Sequence, residues 1–437
     1  MTTEQHVERR RAVGSLSALL AAHAISQTGN VISAFAIPFY VLSLGGSGVE
    51  VGIAAFFSTV PVVVGGALGG VVVDRVGHRR AAIVADLISG GTVLAIPVIA
   101  LTVGLPFWAL LVLVFAGGLL DTPGQTARRV MLPQLTERAG IRLERSVGLL
   151  DGSERLSKMI GASIAGLLVA LMGPIAALFV NAATFGVSAL LTWLFVASGP
   201  SPAASSLGDH MPGEADAPPA GSGSGSDYWS DLAAGLRFVT RDPLMRLIVG
   251  LVLVTNLMDA ARGSTLLPLY ANDRLGGAAA LGVLVAVMGG CALLGNIAFG
   301  FVAHRVRRRV TFAACFALAG GPTSAAFAVG APLPVLIAAT ALGGLAAGAL
   351  NPIIGTVELE RVPEHMRGRV FGMVNAGAWA GVPFGALLGG IAADTIGLSW
   401  TFGIIAVVYT VVTLTPLLGG AWRLMERAAA PSAAASG

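Results

Sequence analysis

Residues 70–80 read Gly70-Val-Val-Val-Asp-Arg-Val-Gly-His-Arg-Arg80 and close the second of a series of long apolar runs. A related stretch, Gly300-Phe-Val-Ala-His-Arg-Val-Arg-Arg-Arg309, closes the eighth run at an offset of 230 residues. The same offset relates Asp121 to Asn351. The chain therefore contains an internal repeat. Internal repeats of apolar segments are typical of secondary transporters, whose halves move around a central site.

The composition around these stretches is that of a membrane protein. Of the 437 residues, 55% are apolar and only 11% are charged, and the mean hydropathy is +0.81. Soluble globular proteins carry about 25% charged residues. A soluble fold of this length cannot bury so much apolar surface. The composition therefore predicts an integral membrane protein and excludes a soluble enzyme, a disordered scaffold and a disulfide-rich secreted domain.

The apolar runs predict the architecture. A bilayer-spanning helix needs about 20 mostly apolar residues, and charges and Gly/Pro turns divide the chain into twelve such runs. The predicted fold is an all-α polytopic membrane protein with twelve transmembrane helices in two six-helix pseudo-symmetric halves. The predicted spans are Leu16–Leu44, Val51–Val73, Ala81–Gly104, Pro106–Pro123, Val147–Met172, Pro174–Ala197, Leu244–Tyr270, Leu275–Ala303, Val310–Gly330, Leu333–Val357, Val370–Ala393 and Gly397–Trp422.

The remaining segments complete the predicted domain organisation. Residues 1–15 form an N-terminal tail, 16–197 and 244–422 the two bundles, 198–243 a linker and 423–437 a C-terminal tail. The linker is rich in Ala, Gly, Ser and Pro up to residue 226, a composition typical of flexible segments. After it, four apolar residues recur at helical spacing and predict a short amphipathic helix on the membrane surface. These residues are Trp229, Leu232, Leu236 and Val239.

The basic residues predict the orientation. With a cytoplasmic N-terminus, all but Arg262 and Arg274 of the 27 Lys and Arg residues fall in or beside cytoplasmic segments. The positive-inside rule therefore predicts that both termini are cytoplasmic. A pI of about 9.6 is also found in nucleic-acid-binding proteins, but here the basic residues are spread over many short loops. No nucleic-acid partner is expected.

Residues 70–80, at the cytoplasmic end of the second predicted helix, resemble the hallmark loop of the major facilitator superfamily. Residues 121–133 and 362–370 resemble the corresponding loops of bacterial drug and secondary-metabolite efflux permeases of the enterobactin-exporter-like group. The resemblance covers nearly the whole chain outside the linker and tails. It implies the transporter fold and does not imply the substrate. The leading functional prediction is a proton-driven exporter of amphiphilic small molecules (drugs, secondary metabolites or siderophores) that works by alternating access in a bacterial plasma membrane.

The same resemblance implies a conformational latch. Gly70 would allow the second span to approach the eleventh span closely, as small-x-x-x-small spacing does in membranes. Asp74 would lie at the N-terminal end of the eleventh span, where a carboxylate suits the helix dipole. The candidate latch residues are Gly70, Asp74, Arg75, Gly77, Arg79, Arg80 and Arg369. The alternative is that the arginines only set the membrane topology.

Polar residues within the spans are the candidate pathway residues, because a charge at a helix centre costs about 2.5–3.5 kcal/mol on insertion scales. Asp259 and Arg262 share one face of the seventh span, and Asp259 is the first candidate for a proton-carrying acid. The alternative is a structural tie between the two. The substrate and proton pathway candidates are His23, Gln27, Asn30, Asp121, Asp259 and Arg262. For the three in the first span, hydrogen bonding between helices is an equal alternative.

Other side chains carry further expectations. Asp86 is expected to pair with the loop that contains Arg79 and Arg80. A charge network is expected at the start of the fifth span, formed by Asp151, Glu154, Arg155 and Lys158. Aromatic residues available for stacking on a substrate are Phe39, Tyr40, Phe56, Phe57, Trp108 and Trp379.

Metal, cofactor and nucleotide chemistry are not expected. The six histidines show no metal-ligand spacing, and Lys158 lies outside any Walker A frame. The chain is thus expected to be no enzyme, to act as a monomer, and to have a small-molecule substrate, protons and the lipid bilayer as partners. The alternatives are a proton symporter that imports a nutrient and a non-transporting membrane sensor or enzyme. A symporter for a polar nutrient would more naturally carry several charged ligands in its interior.

Overall fold

The structure is a computed structural model that describes residues 3–196 and 235–426. At 3–8, 63, 66–72, 74, 75, 365 and 368 it describes the backbone alone. These ranges are almost entirely helical and contain no β-strand. The predicted 198–226 linker and the chain after residue 426 lie outside the described residues.

The helices follow one another with short turns. Those before residue 197 are α1 (Thr3–Ser43), α2 (Gly48–Val76), α3 (His78–Thr102), α4 (Phe107–Ala139) and α5 (Leu143–Phe195). Those after residue 234 are α6 (235–241), α7 (Pro243–Ala260), a π-helical turn (Ala261–Leu266), α8 (Leu267–Arg274), α9 (Ala278–Val302), α10 (Arg308–Ala328), α11 (Leu333–Ala347), α12 (Leu350–Arg361), α13 (Arg367–Trp379), α14 (Val382–Ile396) and α15 (Leu398–Leu414).

Ten helical stretches among the described residues are long and apolar enough to cross a bilayer. The described part of each of the twelve predicted spans is mostly helical, and the seventh, tenth, eleventh and twelfth each cover two or more consecutive helical elements. The numbers differ because α5 is counted once although it is two helices on either side of Gly173, and because the apolar part of α2 counts as a shorter helix, Gly48–Val62. The all-α membrane architecture is confirmed, and the count of twelve stays a prediction.

Glycines with positive φ make several of the sharp turns between helices, and Gly173 and Gly77 are two of them. Gly173 has φ 80° and ψ 166° and precedes Pro174, which cannot continue the hydrogen bonding of the preceding helix. Gly77 joins α2 to α3 with φ 87°. A side chain is strained at such positive φ values, so glycine is the residue that these turns require. This gives Gly77, one of the predicted latch residues, a local structural role.

The chain divides into two compact units. The first comprises Met1–Ser224 and Leu267–Ala286, and the second comprises Gly225–Leu266 and Val287–Gly437. In the first unit α1 packs along α5, and α4 packs against α2 and α3. In the second unit α10 packs along α15, and α14 packs against α7 and the π-helical turn. Each unit has its own buried apolar cluster.

The eleventh predicted span has a glycine stripe, which consists of Gly381, Gly385 and Gly389. This glycine stripe faces α7 and the first residue of the π-helical turn that follows α7. A Cβ added at Gly381 would lie 3.0 Å from Cδ1 of Leu253, and one added at Gly389 would lie 2.9 Å from Cβ of Ala261. Gly385, between them, lies against the α7 backbone in the same way. Small residues at every fourth position let the two helices approach closely. In the described part of the chain the stripe's partner is thus α7, and its predicted contact with the second span stays a prediction.

Within the second unit, helix α6 packs against the segment that contains Val362, Arg369 and Val370. A Cβ added at Gly235 would lie 2.9 Å from the carbonyl oxygen of Arg369. Val239 is buried in a cluster with Val362 and Val370. The described end of the predicted amphipathic segment is therefore helical and lies against protein, whereas Trp229 and Leu232 fall outside the described residues.

Candidate functional site

The first unit brings two predicted pathway residues, Asn30 of α1 and Asp121 of α4, into contact. Nδ2 of Asn30 donates to Oδ2 of Asp121 at 2.9 Å. The same amide donates to Oε1 of Gln27 at 3.4 Å, so three of the predicted residues form one chain of hydrogen bonds. Asp121 is only 6% exposed, and its Oδ1 has no hydrogen-bond partner among the described residues.

Sequence reasoning missed the second hydrogen-bond donor to the Asp121 carboxylate. Nε2 of Gln125 donates to Oδ2 of Asp121 at 2.6 Å. Gln125 follows Asp121 by four residues on α4, a spacing that places both side chains on one helix face. The four-residue spacing could therefore have identified Gln125 as a partner of Asp121 from the sequence.

These polar residues line a cavity of about 260 Å³ within the first unit, here called the α1–α4 cavity. Its walls are mainly apolar, and Asp121 is the only ionisable residue among the described residues that line it. The lining residues are Asn30, Ser33, Ala34, Ile37, Ser58, Thr59, Val62, Val93, Ile96, Leu113, Val114, Gly117, Gly118, Asp121, Thr122, Gln125 and Phe185. None of the six aromatic residues named as available for stacking is among them, and their contact with a substrate stays a prediction.

Those aromatic residues lie elsewhere. Trp108 and Trp379 are 69% and 50% exposed. Phe57 packs edge-on against Phe56 and Phe115. Because apolar side chains in a membrane protein also face lipid, these positions need no substrate to explain them.

His23 does not join the Asp121 site through a hydrogen bond. Its side chain is fully buried, and neither ring nitrogen has a hydrogen-bond partner among the described residues. The charged residues that act on it electrostatically are Arg128, Glu154, Arg129 and Lys158. It therefore lies within reach of the charges of α4 and α5.

Asp86 has a partner that sequence reasoning did not anticipate. Its carboxylate accepts hydrogen bonds from Nη2 of Arg128, and both side chains are fully buried. The hydroxyl of Ser188 donates to Oδ2 of Asp86 at 2.8 Å. The expected pairing of Asp86 with Arg79 or Arg80 is thus wrong, because the carboxylate faces α4 inside the bundle.

The hallmark loop contributes a helix cap. Nε of Arg79 donates to the carbonyl oxygen of Thr192 at 3.4 Å, and its Nη2 donates to that of Trp193. A cation at the last turn of α5 is favoured by the helix dipole. Arg80 and Arg369 are exposed. The side chains of Asp74 and Arg75 and the surroundings of Gly70 are not described, and the predicted latch stays a prediction.

Three of the four residues expected in a charge network at the start of the fifth span, Asp151, Glu154 and Lys158, form ion pairs that include an arginine of α4, whereas the exposed Arg155 is not among these pairs. Nη2 of Arg129 and Nζ of Lys158 each lie 2.9 Å from a carboxylate oxygen of Glu154. Asp151 lies 3.9 Å from Arg129. Asp151 and Glu154 lie on one face of α5, as their spacing predicts. Their shared partner, Arg129, lies on the neighbouring helix α4.

In the second unit Asp259 and Arg262 form the predicted pair. Nη2 of Arg262 lies 2.8 Å from Oδ1 of Asp259. The Arg262 side chain is 10% exposed and that of Asp259 is 39% exposed. Tyr409 of α15, which sequence reasoning missed, donates its hydroxyl to Oδ2 of Asp259 at 3.3 Å. The acid is thus held from its own helix and from a second one.

The backbone at this pair departs from α-helical geometry. Ala261–Leu266 form a π-helical turn that contains Arg262. Single π-helical turns within α-helices are rare and frequently occur at functional sites. Oγ1 of Thr265 in this turn donates to the carbonyl oxygen of Ala386 at 2.9 Å. The wider turn is therefore fastened to α14.

Known proteins match the chain along most of its length. Residues 19–291 and 264–436 match the family model of the Major Facilitator Superfamily. The multidrug efflux pump Tap of Mycolicibacterium fortuitum is 32% identical over 394 residues, which cover 89% of this chain and 91% of that protein. The pump of the same name from Mycobacterium tuberculosis (strain ATCC 25618 / H37Rv) is 32% identical over 387 residues, 88% of each chain.

Solved structures support the same fold. The nucleoside transporter NupG matches with a TM-score of 0.68 and 14% identity, over 94% of this chain and 98% of that one. A D-xylose-proton symporter matches with a TM-score of 0.62 and 14% identity, over 94% and 97%. The sequence and the arrangement of helices agree, and this chain belongs to the major facilitator superfamily of secondary transporters.

Proposed function

We propose that this transporter is a proton-driven exporter of amphiphilic small molecules, a class that includes drugs, secondary metabolites and siderophores. The observation that carries the proposal is the 32% identity to multidrug efflux pumps over most of both chains. The α1–α4 cavity supports it, because amphiphiles need a mainly apolar surface with a few fixed polar groups. Import of a polar nutrient is less well supported, because the described lining holds a single ionisable residue, Asp121.

Accumulation measurements test the export. In a host that lacks its own efflux pumps, expression is expected to lower the cellular level of at least one amphiphilic compound. Collapse of the proton gradient with a protonophore, at constant ATP, is expected to abolish the difference. Export that persists after the collapse contradicts proton coupling. Net uptake contradicts export and favours the symporter.

Asp259 is the proposed proton-carrying acid. An intramembrane carboxylate that can be protonated is what proton exchange requires. Its carboxylate accepts hydrogen bonds from Arg262 and Tyr409, and protonation would weaken both. Alternating access then follows if the loss of these bonds changes the packing of α7 against its neighbours.

The hallmark loop is the proposed latch on the cytoplasmic side. Asp74→Asn keeps the size of the side chain and removes its charge. Turnover is expected to fall about tenfold or more at nearly normal protein abundance, since the charge acts on a conformational equilibrium. Arg145→Gln, at an exposed position outside the candidate latch residues, is the control. Normal transport by Asp74→Asn would reduce the loop to a topology signal.

The proposed setting is the bacterial plasma membrane, with both termini cytoplasmic and the chain acting as a monomer. A single cysteine placed within residues 198–226, in a chain whose Cys291 and Cys315 are replaced by alanine, tests the orientation. An impermeant maleimide is expected to label it only after the cells are permeabilised. Labelling in intact cells would reverse the orientation.

A further inference from the structure

Lys158, the only lysine of the chain, is exposed although it lies deep within the fifth predicted span. Val147 and Met172, the ends of that span, lie about 17 Å and about 21 Å away along the helix at 1.5 Å per residue. A charged side chain near the end of a span can extend to the membrane surface, but neither end is within reach of a lysine side chain at this position. The Lys158 side chain is nevertheless 63% exposed.

The side of α5 that carries Lys158 lies close to α1 and α4. Glu154, one turn before Lys158, pairs with it and also with Arg129 of α4, at 2.9 Å in each case. Glu154 and Lys158 both act electrostatically on the fully buried His23 of α1. An exposed charge at this depth is costly in hydrocarbon, and such residues normally face a water-filled cavity. We therefore expect this side of α5 to line a water-filled cleft beside α1 and α4.

The charged groups around Lys158 have an excess of cations. Lys158 and Arg129 share one carboxylate, that of Glu154. Asp151 lies 3.9 Å from Arg129, and the exposed Arg155 adds a third cation. These three cations and two acids leave a net charge of +1 when all are ionised. The lysine ammonium has three donors, and one of them donates to Glu154, so the exposed group has donors left for an anionic ligand.

We propose that Lys158 binds the carboxylate group of amphiphilic organic anions and zwitterions. The proposal rests on the proposed export function and adds to it a chemical group of the substrate. Arg129 and Arg155 favour the same sign of ligand, because a cation would meet the net positive charge of the cluster. Between helices that partly exclude water, the attraction of opposite charges is stronger than in bulk water. Release of the Glu154 carboxylate costs little, because Arg129 still pairs with it.

Cysteine accessibility in lipid nanodiscs, which expose both faces of the membrane, tests the cleft. Lys158→Cys is placed in a full chain whose Cys291 and Cys315 are replaced by alanine. A charged methanethiosulfonate reagent is expected to modify this cysteine, since such a reagent reacts only where water reaches the thiol. A cysteine at 158 that does not react would place the side chain in lipid or in packed protein and would overturn the proposal.

Equilibrium binding to the full chain in nanodiscs tests the ligand. The probe is radiolabelled 4-phenylbutyrate, and the competitors are 4-phenylbutyramide and 4-phenylbutylamine, which keep its skeleton and replace the carboxylate by a neutral and a cationic group. The wild type is expected to bind the probe saturably, and the amide is expected to displace it better than the amine. Lys158→Gln is expected to weaken probe binding about fivefold, the upper end for an exposed ion pair. Its binding of the amide is expected to change less than about twofold.

Variants of the same helix separate charge from folding. Lys158→Gln leaves Glu154 paired with Arg129, so its melting temperature is expected to stay close to that of the wild type. Lys158→Arg keeps the charge and is expected to keep most of the probe affinity. Arg145→Gln removes an exposed cation of α5 before the predicted span and is expected to bind as the wild type does.

Three binding results would overturn the proposal: unchanged probe binding by Lys158→Gln, displacement by the amine equal to that by the amide, or no saturable probe binding by the wild type. Export assays with one anionic and one neutral amphiphile separate the proposal from the export function. Loss of anion export alone in Lys158→Gln supports both. Equal export of both compounds by the variant overturns the role of Lys158 and leaves export standing. A wild type that exports neither compound defeats the export function, whatever the binding result.

Discussion

Helices α4 and α7 each place an aspartate in an apolar span, and the two aspartates are held in opposite ways. Asp121 of α4 accepts hydrogen bonds from two neutral amides. Asp259 of α7 pairs with Arg262, a cation three residues along its own helix. Neutral donors orient a carboxylate and leave its charge in place, whereas a neighbouring cation compensates it. The α4 acid is thus oriented by its partners, and the α7 acid is suited to an exchange of partners within the protein.

A third buried acid, Asp86, is held by an ion pair, and we expect its role to be structural. Asp86 and Arg128 are both fully buried, and Ser188 donates to the same carboxylate. Both oxygens of the Asp86 carboxylate thus accept hydrogen bonds from buried side chains of the first unit. The three acids differ in their partners, and the predictions below test whether those partners decide their roles.

The largest effect is expected from Arg128→Leu. The change leaves Asp86 as a buried charge without a partner, and breaking a buried ion pair in this way typically costs about 3–5 kcal/mol. The apparent melting temperature of the purified protein and its abundance in the membrane are both expected to fall sharply. Arg138→Leu, at an exposed position of the same helix, is the control and is expected to be nearly neutral.

The double variant Asp86→Leu with Arg128→Leu sharpens this result. Removing both charges leaves no buried ion without a partner, so part of the lost stability is expected to return. If Arg128→Leu alone has the melting temperature of the wild type, the buried ion pair of Asp86 does not stabilise the fold. The partners of an acid then do not predict its role.

The next effect is expected from Asp259→Asn, which cannot exchange a proton. Transport driven by a pH gradient is expected to fall at least about tenfold, a loss of about 1.4 kcal/mol or more in transition-state stabilisation. Downhill exchange of substrate is expected to persist. Proteoliposomes with an imposed pH gradient, and then without one, measure the two activities.

The pair with Arg262 offers a direct alternative outcome. If Asp259 is only a structural tie, the double variant Asp259→Asn with Arg262→Gln should recover much of the function, since neither charge is then unpaired. If Asp259 carries the proton, the double variant stays uncoupled. Gradient-driven transport that survives Asp259→Asn unchanged would eliminate the coupling role altogether.

Local spacing predicted the partner of Asp259, could have indicated only Gln125 of the two partners of Asp121, and indicated the wrong partner for Asp86. Arg262 follows Asp259 by three residues on one helix, so their contact was readable from the sequence. The partners of Asp86 and Asp121 on other helices lie 42 and 91 residues away, and a nearby basic loop was the wrong choice for Asp86. The helices themselves were predictable because the bilayer demands long apolar runs. Which polar side chains meet depends on how those helices rotate about their axes, and a single sequence does not reveal that.

A smaller effect is expected from Tyr409→Phe. The variant keeps the ring and removes the hydroxyl that donates to Asp259 at 3.3 Å. A single hydrogen bond contributes about 0.5–1.5 kcal/mol net, so gradient-driven transport is expected to fall a few-fold, with downhill exchange unchanged. Tyr270→Phe, in the first unit, is the control and should leave the coupling ratio unaltered. An equal loss of both activities in Tyr409→Phe would point to packing and not to the hydroxyl.

The smallest effect is expected at Asp242, the residue that precedes α7 outside the spanning segment. The Asp242 carboxylate accepts hydrogen bonds both from neutral backbone amides and from a cation, Arg361. Burial raises the pKa of its carboxyl, but the hydrogen bond from Arg361, those from the backbone amides of Met245 and Leu244, and the Arg361 charge together hold the pKa below its usual value. A lowered pKa in the folded state means that the contribution to stability is complete above the pKa of the unfolded state. It is lost as the pH falls through the folded pKa.

Asp242→Asn separates these two parts of the contribution. The asparagine oxygen still accepts from the first amides of α7 and so keeps the helix cap, while the charge that faces Arg361 is gone. At pH 7 we expect a loss of about 0.5–1 kcal/mol, the range of a partly exposed ion pair. The difference from the wild type is expected to be full above about pH 5 and to shrink below about pH 4, as the wild-type carboxyl takes up its proton. Apparent melting temperatures of the two proteins between pH 7 and pH 3 measure it. A difference that stays constant over this range would show that Arg361 contributes nothing through charge, and the neutral donors alone would then account for how Asp242 is held.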